Sequence, residues 1–160
     1  MEFSQKSLKT QGFSGWIPFS AIRSSDCPEQ GGVYVITYDS PGPVAFAPRS
    51  RGGWFKGKDP SVSVQVLHAN WVEGTEVVYI GKGDQLRRRL QQFADFGTGK
   101  PIGHWGGRLI WQLEIAEALR VAWKPTPDKV PVQVESDMIA AFRREFGKPP
   151  FANAPHLLGR

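Results

Sequence analysis

The sequence predicts an α/β (α+β) domain: a small, mainly antiparallel central sheet of three strands flanked by helices, with an insertion between the first two strands. Three observations predict it. Residues 33–38, 77–80 and 119–123 are short runs of β-branched and aromatic residues bounded by glycine or proline. Helical patterns follow the second and third runs, from about 84 and about 132. The 160 residues are 40% hydrophobic, which suits one globular domain over 1–160 and excludes a disordered or fibrous chain.

Residues 1–30 form an N-terminal extension. Order is expected from near Phe13, as a short helix or turn, because Trp16, Ile17, Phe19 and Ile22 supply apolar anchors that the preceding polar residues lack. Gly31 and Gly32 introduce the first strand, whose alternation sends Tyr34, Ile36 and Tyr38 to one face and Val33, Val35 and Thr37 to the other. The insertion spans about 40–75. Its first part is rich in proline, glycine and cations, with Arg49, Arg51, Lys56 and Lys58 around Trp54, and reads as a loop. It is either a solvated connector or a clamp that meets phosphates with its cations and stacks Trp54 on a base or sugar. Residues 61–66 alternate cleanly and predict a half-buried strand.

The second strand runs through Gly81-Lys82-Gly83, read as a glycine turn, into a basic helix. At about 100° per residue, Leu86, Leu90 and Phe93 share a sector roughly 60° wide that must face the sheet. Arg87 and Arg88 then point to solvent. Arg89 falls about 40° from Phe93, so its guanidinium emerges beside the end of the Tyr79 strand. Residues 97–107 form a glycine-rich loop carrying His104 and Trp105, and 108–118 mix strand alternation with helix formers, as a short helix or irregular segment would. Pro125 and Pro127 stop the third strand. Pro131 opens the last helix, whose buried stripe is Met138, Ile139, Phe142 and Phe146. Glu135, three and four residues earlier than Met138 and Ile139, shares that face. A carboxylate there must be paired, hydrogen-bonded or bound to a metal, unless the first helical turn overhangs the core and leaves it solvated.

A formal net charge of +5 and a pI of about 9.6 favour an anionic partner such as nucleic acid. The lone Cys27 cannot form an internal disulfide, the opening residues lack the apolar core of a secretory signal, and no run approaches the roughly 18 apolar residues of a membrane span. A cytoplasmic setting without a membrane partner is the expectation. His68, His104 and His156 lie in separate segments without metal-ligand spacing. His104 is placed where a DNA-contacting or proton-transfer residue could reach a site.

Gly32-Val33-Tyr34, Tyr79-Ile80-Gly81, Lys82, Arg89, Glu135 and Asn153, in this order, resemble the GIY-YIG nuclease domain of excision-repair nucleases, homing endonucleases and some restriction enzymes. In that family an arginine follows the second tyrosine by ten residues on the next helix, as Arg89 follows Tyr79. The resemblance covers about 31–153. Phe93 matches a family aromatic or histidine but has no polar tip, and the insertion at 40–75 is more like the longer restriction-type members.

The resemblance implies a metal-dependent endonuclease that hydrolyses phosphodiester bonds in DNA, with RNA left open as a substrate. Glu135 would hold one divalent ion, Mg²⁺ or Mn²⁺, and Arg89 would grip the phosphate. Tyr34 and Tyr79 would orient or deprotonate the water, Lys82 would lower the tyrosine pKa or stabilise negative charge, and Asn153 would tie the end of the last helix to the site. Arg49, Arg51, Trp54, Lys56, Lys58, Arg87, Arg88 and His104 are the candidate nucleic-acid contacts. The rival readings are an inert nucleic-acid-binding module of the same fold and a protein-interaction domain using its tryptophans. The intact set of Tyr34, Tyr79, Arg89 and Glu135 favours the nuclease.

Overall fold

Apolar residues on both faces of a strand demand cover on both sides, and here each face receives it. The computed structural model describes residues 1–153, so His156 lies outside the described residues. Four antiparallel strands, β1 (Ser14–Ile17), β2 (Gly32–Tyr38), β3 (Val77–Gly83) and β4 (Leu119–Pro125), form one sheet in the order β1-β4-β2-β3. On one face Val33, Val35, Ile80 and Ala122 pack with Phe3, Leu8, Met138 and Phe142, brought by α1 (Gln5–Thr10) and α4 (Pro131–Phe146). On the other, Tyr34, Ile36, Tyr38 and Tyr79 pack with Leu86, Leu90 and Phe93 of α3 (Leu86–Gly97) and with Leu109, Ile110 and Trp111 of a 3-10 helix (Trp105–Gln112). The alternation read for residues 33–38 is the one observed.

The sheet has four strands, not three, and order begins before Phe13. Phe3 and Leu8 bury the polar-looking N-terminus, where Ser4 caps α1 by accepting from the Ser7 amide at 3.1 Å. The extra strand β1 was not legible because it is short and broken by a bulge, with Trp16 in the left-handed region at φ 61°. Residues 61–66 are not a strand either. The helix α2 (Val64–Asn70) starts there, capped by the Ser63 hydroxyl, which accepts from the Val66 amide at 3.3 Å. Alternation alone cannot make a strand without a neighbour, whereas a capped helix closes most of its own hydrogen bonds.

Gly81-Lys82-Gly83 is not a turn but the end of β3, paired with Tyr34, Val33 and Gly32. These glycines serve close approach. A Cβ at Gly81 would stand 2.4 Å from Cζ of Tyr34, and one at Gly83 would stand 2.8 Å from Cβ of Arg89. The insertion is tied to the domain by Gln112, fully buried, whose Oε1 accepts from the Val62 amide at 2.9 Å and whose Nε2 donates to the carbonyls of Val62 and Ala47.

Strand β3 is an edge, and its outward groups at Ile80 are taken by Asn153. The side chain accepts from the Ile80 amide at 2.9 Å and donates to the Ile80 carbonyl at 2.8 Å, imitating a neighbouring strand. Asn153→Ala is expected to lower stability by about 1–3 kcal/mol, read as a shifted urea midpoint at constant slope. A midpoint equal to the parent's would mean that solvent satisfies this edge equally well.

Candidate active site

Cross-strand register brings the two tyrosines together. Tyr34 lies opposite Gly81 and Ile36 opposite Tyr79, so both rings project from the same face, with centroids 6.0 Å apart. Because Gly81 offers no side chain, the Tyr34 ring lies across β3. The loss of bulk at Gly83 lets the stem of Arg89 pass beside the strand end. Glu135, in the second turn of α4, reaches the same place from the other layer. Tyr34, Tyr79, Lys82, Gly83, Asp84, Arg89 and Glu135 line one hollow of about 330 Å³. Asp84, where the sequence predicts the start of the helix, lies ahead of it and is a wall residue that spacing does not single out.

Among the described residues Arg89 makes only a long contact to Oε1 of Gln92, at 3.5 Å, and forms no ion pair with Glu135. Its fork therefore faces the hollow uncommitted. Burial raises the Glu135 pKa above the ordinary carboxylate value, and the charges of Lys82 and Arg89 work against that rise. Tyr79 is pushed up to about 12, mainly by burial and then by the Glu135 carboxylate, with Arg89 pulling the other way. Burial drives Tyr34 well above the ordinary phenol value. Both hydroxyls are protonated at neutral pH.

His104 does not contact solvent and so offers nothing directly to DNA. It is fully buried, packed at a tilt of 42° on Phe93 with centroids 4.0 Å apart, and its Nε2 lies 3.3 Å from the Tyr34 hydroxyl. Burial, with the Arg89 charge added, pushes its pKa down to about 3, so the imidazole is neutral. Phe93 lacks a polar tip, and His104, from a later segment, supplies one behind Tyr34. Asn153 does not enter the hollow; it backs the site through Ile80.

The candidate nucleic-acid contacts divide. Arg87 does not point to solvent, because its guanidinium donates to the carbonyls of Cys27 at 3.1 Å, Arg23 at 3.2 Å and Ser25, fixing the segment before β2. Arg51 likewise staples the insertion to the carbonyls of Leu113 at 2.9 Å and Glu114 at 2.6 Å. Arg49 is exposed and pairs loosely with Asp59 at 3.5 Å. Arg88, Trp54, Lys56 and Lys58 are exposed, Trp54 at 57%. No helix among the described residues is long and apolar enough to cross a membrane. No protein-family model, curated protein or solved structure matches the chain.

The buried neutral His104 has a consequence for stability. Its folded pKa lies below the unfolded value, so the unfolded chain takes up the proton first and stability falls as pH drops from about 6.5 towards 3. Above that window the group has no effect. Between pH 7 and pH 5 the loss from this residue is roughly 2 kcal/mol. Urea melts of the parent and of His104→Gln at the two pH values isolate it, since all other titrating groups are common to both. Equal losses in the two proteins would show that His104 is already charged or solvated.

Proposed function

We propose that this chain is a GIY-YIG-type, metal-dependent endonuclease acting on phosphodiester bonds in DNA. The observation that carries the reading is the convergence of a half-buried carboxylate, two cations and two tyrosine hydroxyls, from the four elements β2, β3, α3 and α4, on one hollow. A structural ion pair would explain Glu135 and Arg89 only if they were paired, and they are not. Perturbed groups gathered in a cleft are the usual mark of a working site.

The donor set fits one hard cation. Among the described residues no three His, Cys, Asp or Glu side chains gather into a metal-binding group, so Glu135 would anchor the ion with Asp84 as the other carboxylate on the wall, a sparse oxygen set suited to Mg²⁺ or Mn²⁺ that keep waters and share substrate phosphate. When bound, the ion would neutralise phosphate charge and reverse the sign of the charge that Glu135 presents to Tyr79. Arg89 would hold two non-bridging oxygens through its planar fork, and Lys82 would add positive charge as charge builds on the phosphorane-like transition state. In the free protein, taking the proton from Tyr79 at pH 7 costs roughly 7 kcal/mol, from a pKa of about 12. The tyrosines would therefore orient the attacking water by hydrogen bonding, with His104 fixing the Tyr34 hydroxyl.

Plasmid nicking in Mg²⁺, with an EDTA control, tests the proposal. Glu135→Gln removes the charge that would hold the cation, and Arg89→Ala removes the phosphate fork. Each is expected to reduce cleavage by about a hundredfold or more, equivalent to about 3 kcal/mol of transition-state stabilisation. Arg88→Ala, exposed on the same helix, should change cleavage only slightly. Parent-like cleavage by Glu135→Gln, or equal activity of the Arg88 and Arg89 variants, would favour the inert binding module.

A further inference from the structure

Several arginines of this chain find partners within it: Arg23 pairs with the Asp95 carboxylate at 2.6 Å, and Arg120 donates to the carbonyls of Glu117 and Leu119. Arg51 and Arg87 each donate to two or three backbone oxygens. Arg108, in the 3-10 helix, is only 8% exposed, yet it makes no ion pair and no hydrogen bond with any described residue, and its Nε is sealed from solvent without a partner. Burial alone lowers its pKa. A cation held this way is costly unless an anion completes it. Its guanidinium lies over the ring of Trp105, 4.7 Å from the centroid.

Two neighbouring features point to what that anion is. Trp105 also lines a hollow of about 190 Å³ with Phe55, Lys56 and Lys58, so the indole joins the arginine to two exposed lysines of the insertion, neither of them in an ion pair among the described residues. Between Trp105 and Arg108 the backbone runs against the candidate active site: a Cβ at Gly106 would stand 3.5 Å from the Tyr79 hydroxyl. The turn that carries Trp105 and Arg108 therefore adjoins Tyr79 of the tyrosine hollow. We infer that Arg108, Trp105, Lys56 and Lys58 form a second anion site, which takes a backbone phosphate of the nucleic-acid strand next to the phosphate held at Arg89. The identity of the ligand rests on the proposed nuclease reading.

The alternative for Arg108 is a packing stem whose charge is incidental, and binding and stability together separate the two. Anisotropy of a short fluorescein-labelled DNA duplex, titrated in EDTA over a range of salt, reads binding without turnover. Arg108→Met is expected to weaken binding about tenfold and to reduce the slope of log K against log salt by about one, while its thermal midpoint stays at or above the parent's, since an uncompensated buried charge has gone. Lys56→Ala with Lys58→Ala, at exposed positions that leave the core intact, should reduce the slope by about two. Arg144→Met, exposed on α4, should change neither quantity. A parent-like slope in the lysine variant overturns the inference even if Arg108→Met fails to fold, as does a folded Arg108→Met that binds like the parent. If the parent binds DNA with these slopes yet never nicks plasmid in Mg²⁺, the second site stands and the nuclease reading falls. If it nicks plasmid while the variants bind as it does, only the second site falls, and a parent that binds no duplex removes both.

Discussion

The ring of Tyr34 crosses β3 at Gly81, and this close approach organises the site. With any Cβ at Gly81 the ring would be displaced, because its Cζ and hydroxyl lie within 2.5 Å of where that atom would be. Displacing the ring moves the Tyr34 hydroxyl away from His104 and away from the hollow lined by Tyr79, Arg89 and Glu135. The register that allows the contact is itself fixed by burial on both faces of β2, since a slip by one residue would exchange Tyr34 and Ile36 with Val33 and Val35. The geometry of the hollow and the packing of the core are thus one constraint at this position.

The second constraint is electrostatic. Glu135 is half-buried and feels the charges of Lys82 and Arg89 without being paired to Arg89, and Asp84 adds a second carboxylate to the wall of the hollow. Behind the hollow the layer is largely apolar: Phe93 packs edge-on against Tyr34, and Trp111 and the neutral His104 pack on Phe93. A low-polarity wall strengthens every charge in front of it, and it also explains why both phenols hold their protons.

The arginines show how poorly charge alone predicts role. Arg87, Arg88 and Arg89 are consecutive, yet one staples a loop, one meets solvent and one enters the hollow, because a helix turns about 100° per residue. Arg51, expected among the binding cations, anchors the insertion, whereas Arg108 in an unpromising stretch is left without a partner among the described residues. The proposed binding surface accordingly contains fewer of the insertion's cations and more of the 3-10 helix.

The sequence by itself determined the three central strands, the helices α3 and α4, the two-faced burial of β2 and the departure of Arg89 from its neighbours. These follow from short-range period and spacing, and the period of a buried element is a local property. Whether Gly81 and Gly83 turn the chain or admit a neighbour depends on what lies across the sheet, so only tertiary structure could extend β3 through them. The fourth strand needed β4 as its template, the second half of the alternating 61–66 segment opens a helix rather than pairing as a strand, and the N-terminus gained order from the α4 layer. His104 was visible as a residue to watch, but its burial behind Tyr34 joins positions 70 apart in sequence, as Asn153 at Ile80 joins positions 73 apart. Contacts at such separations leave no periodic trace in the chain, because they are selected by packing after the sheet has formed.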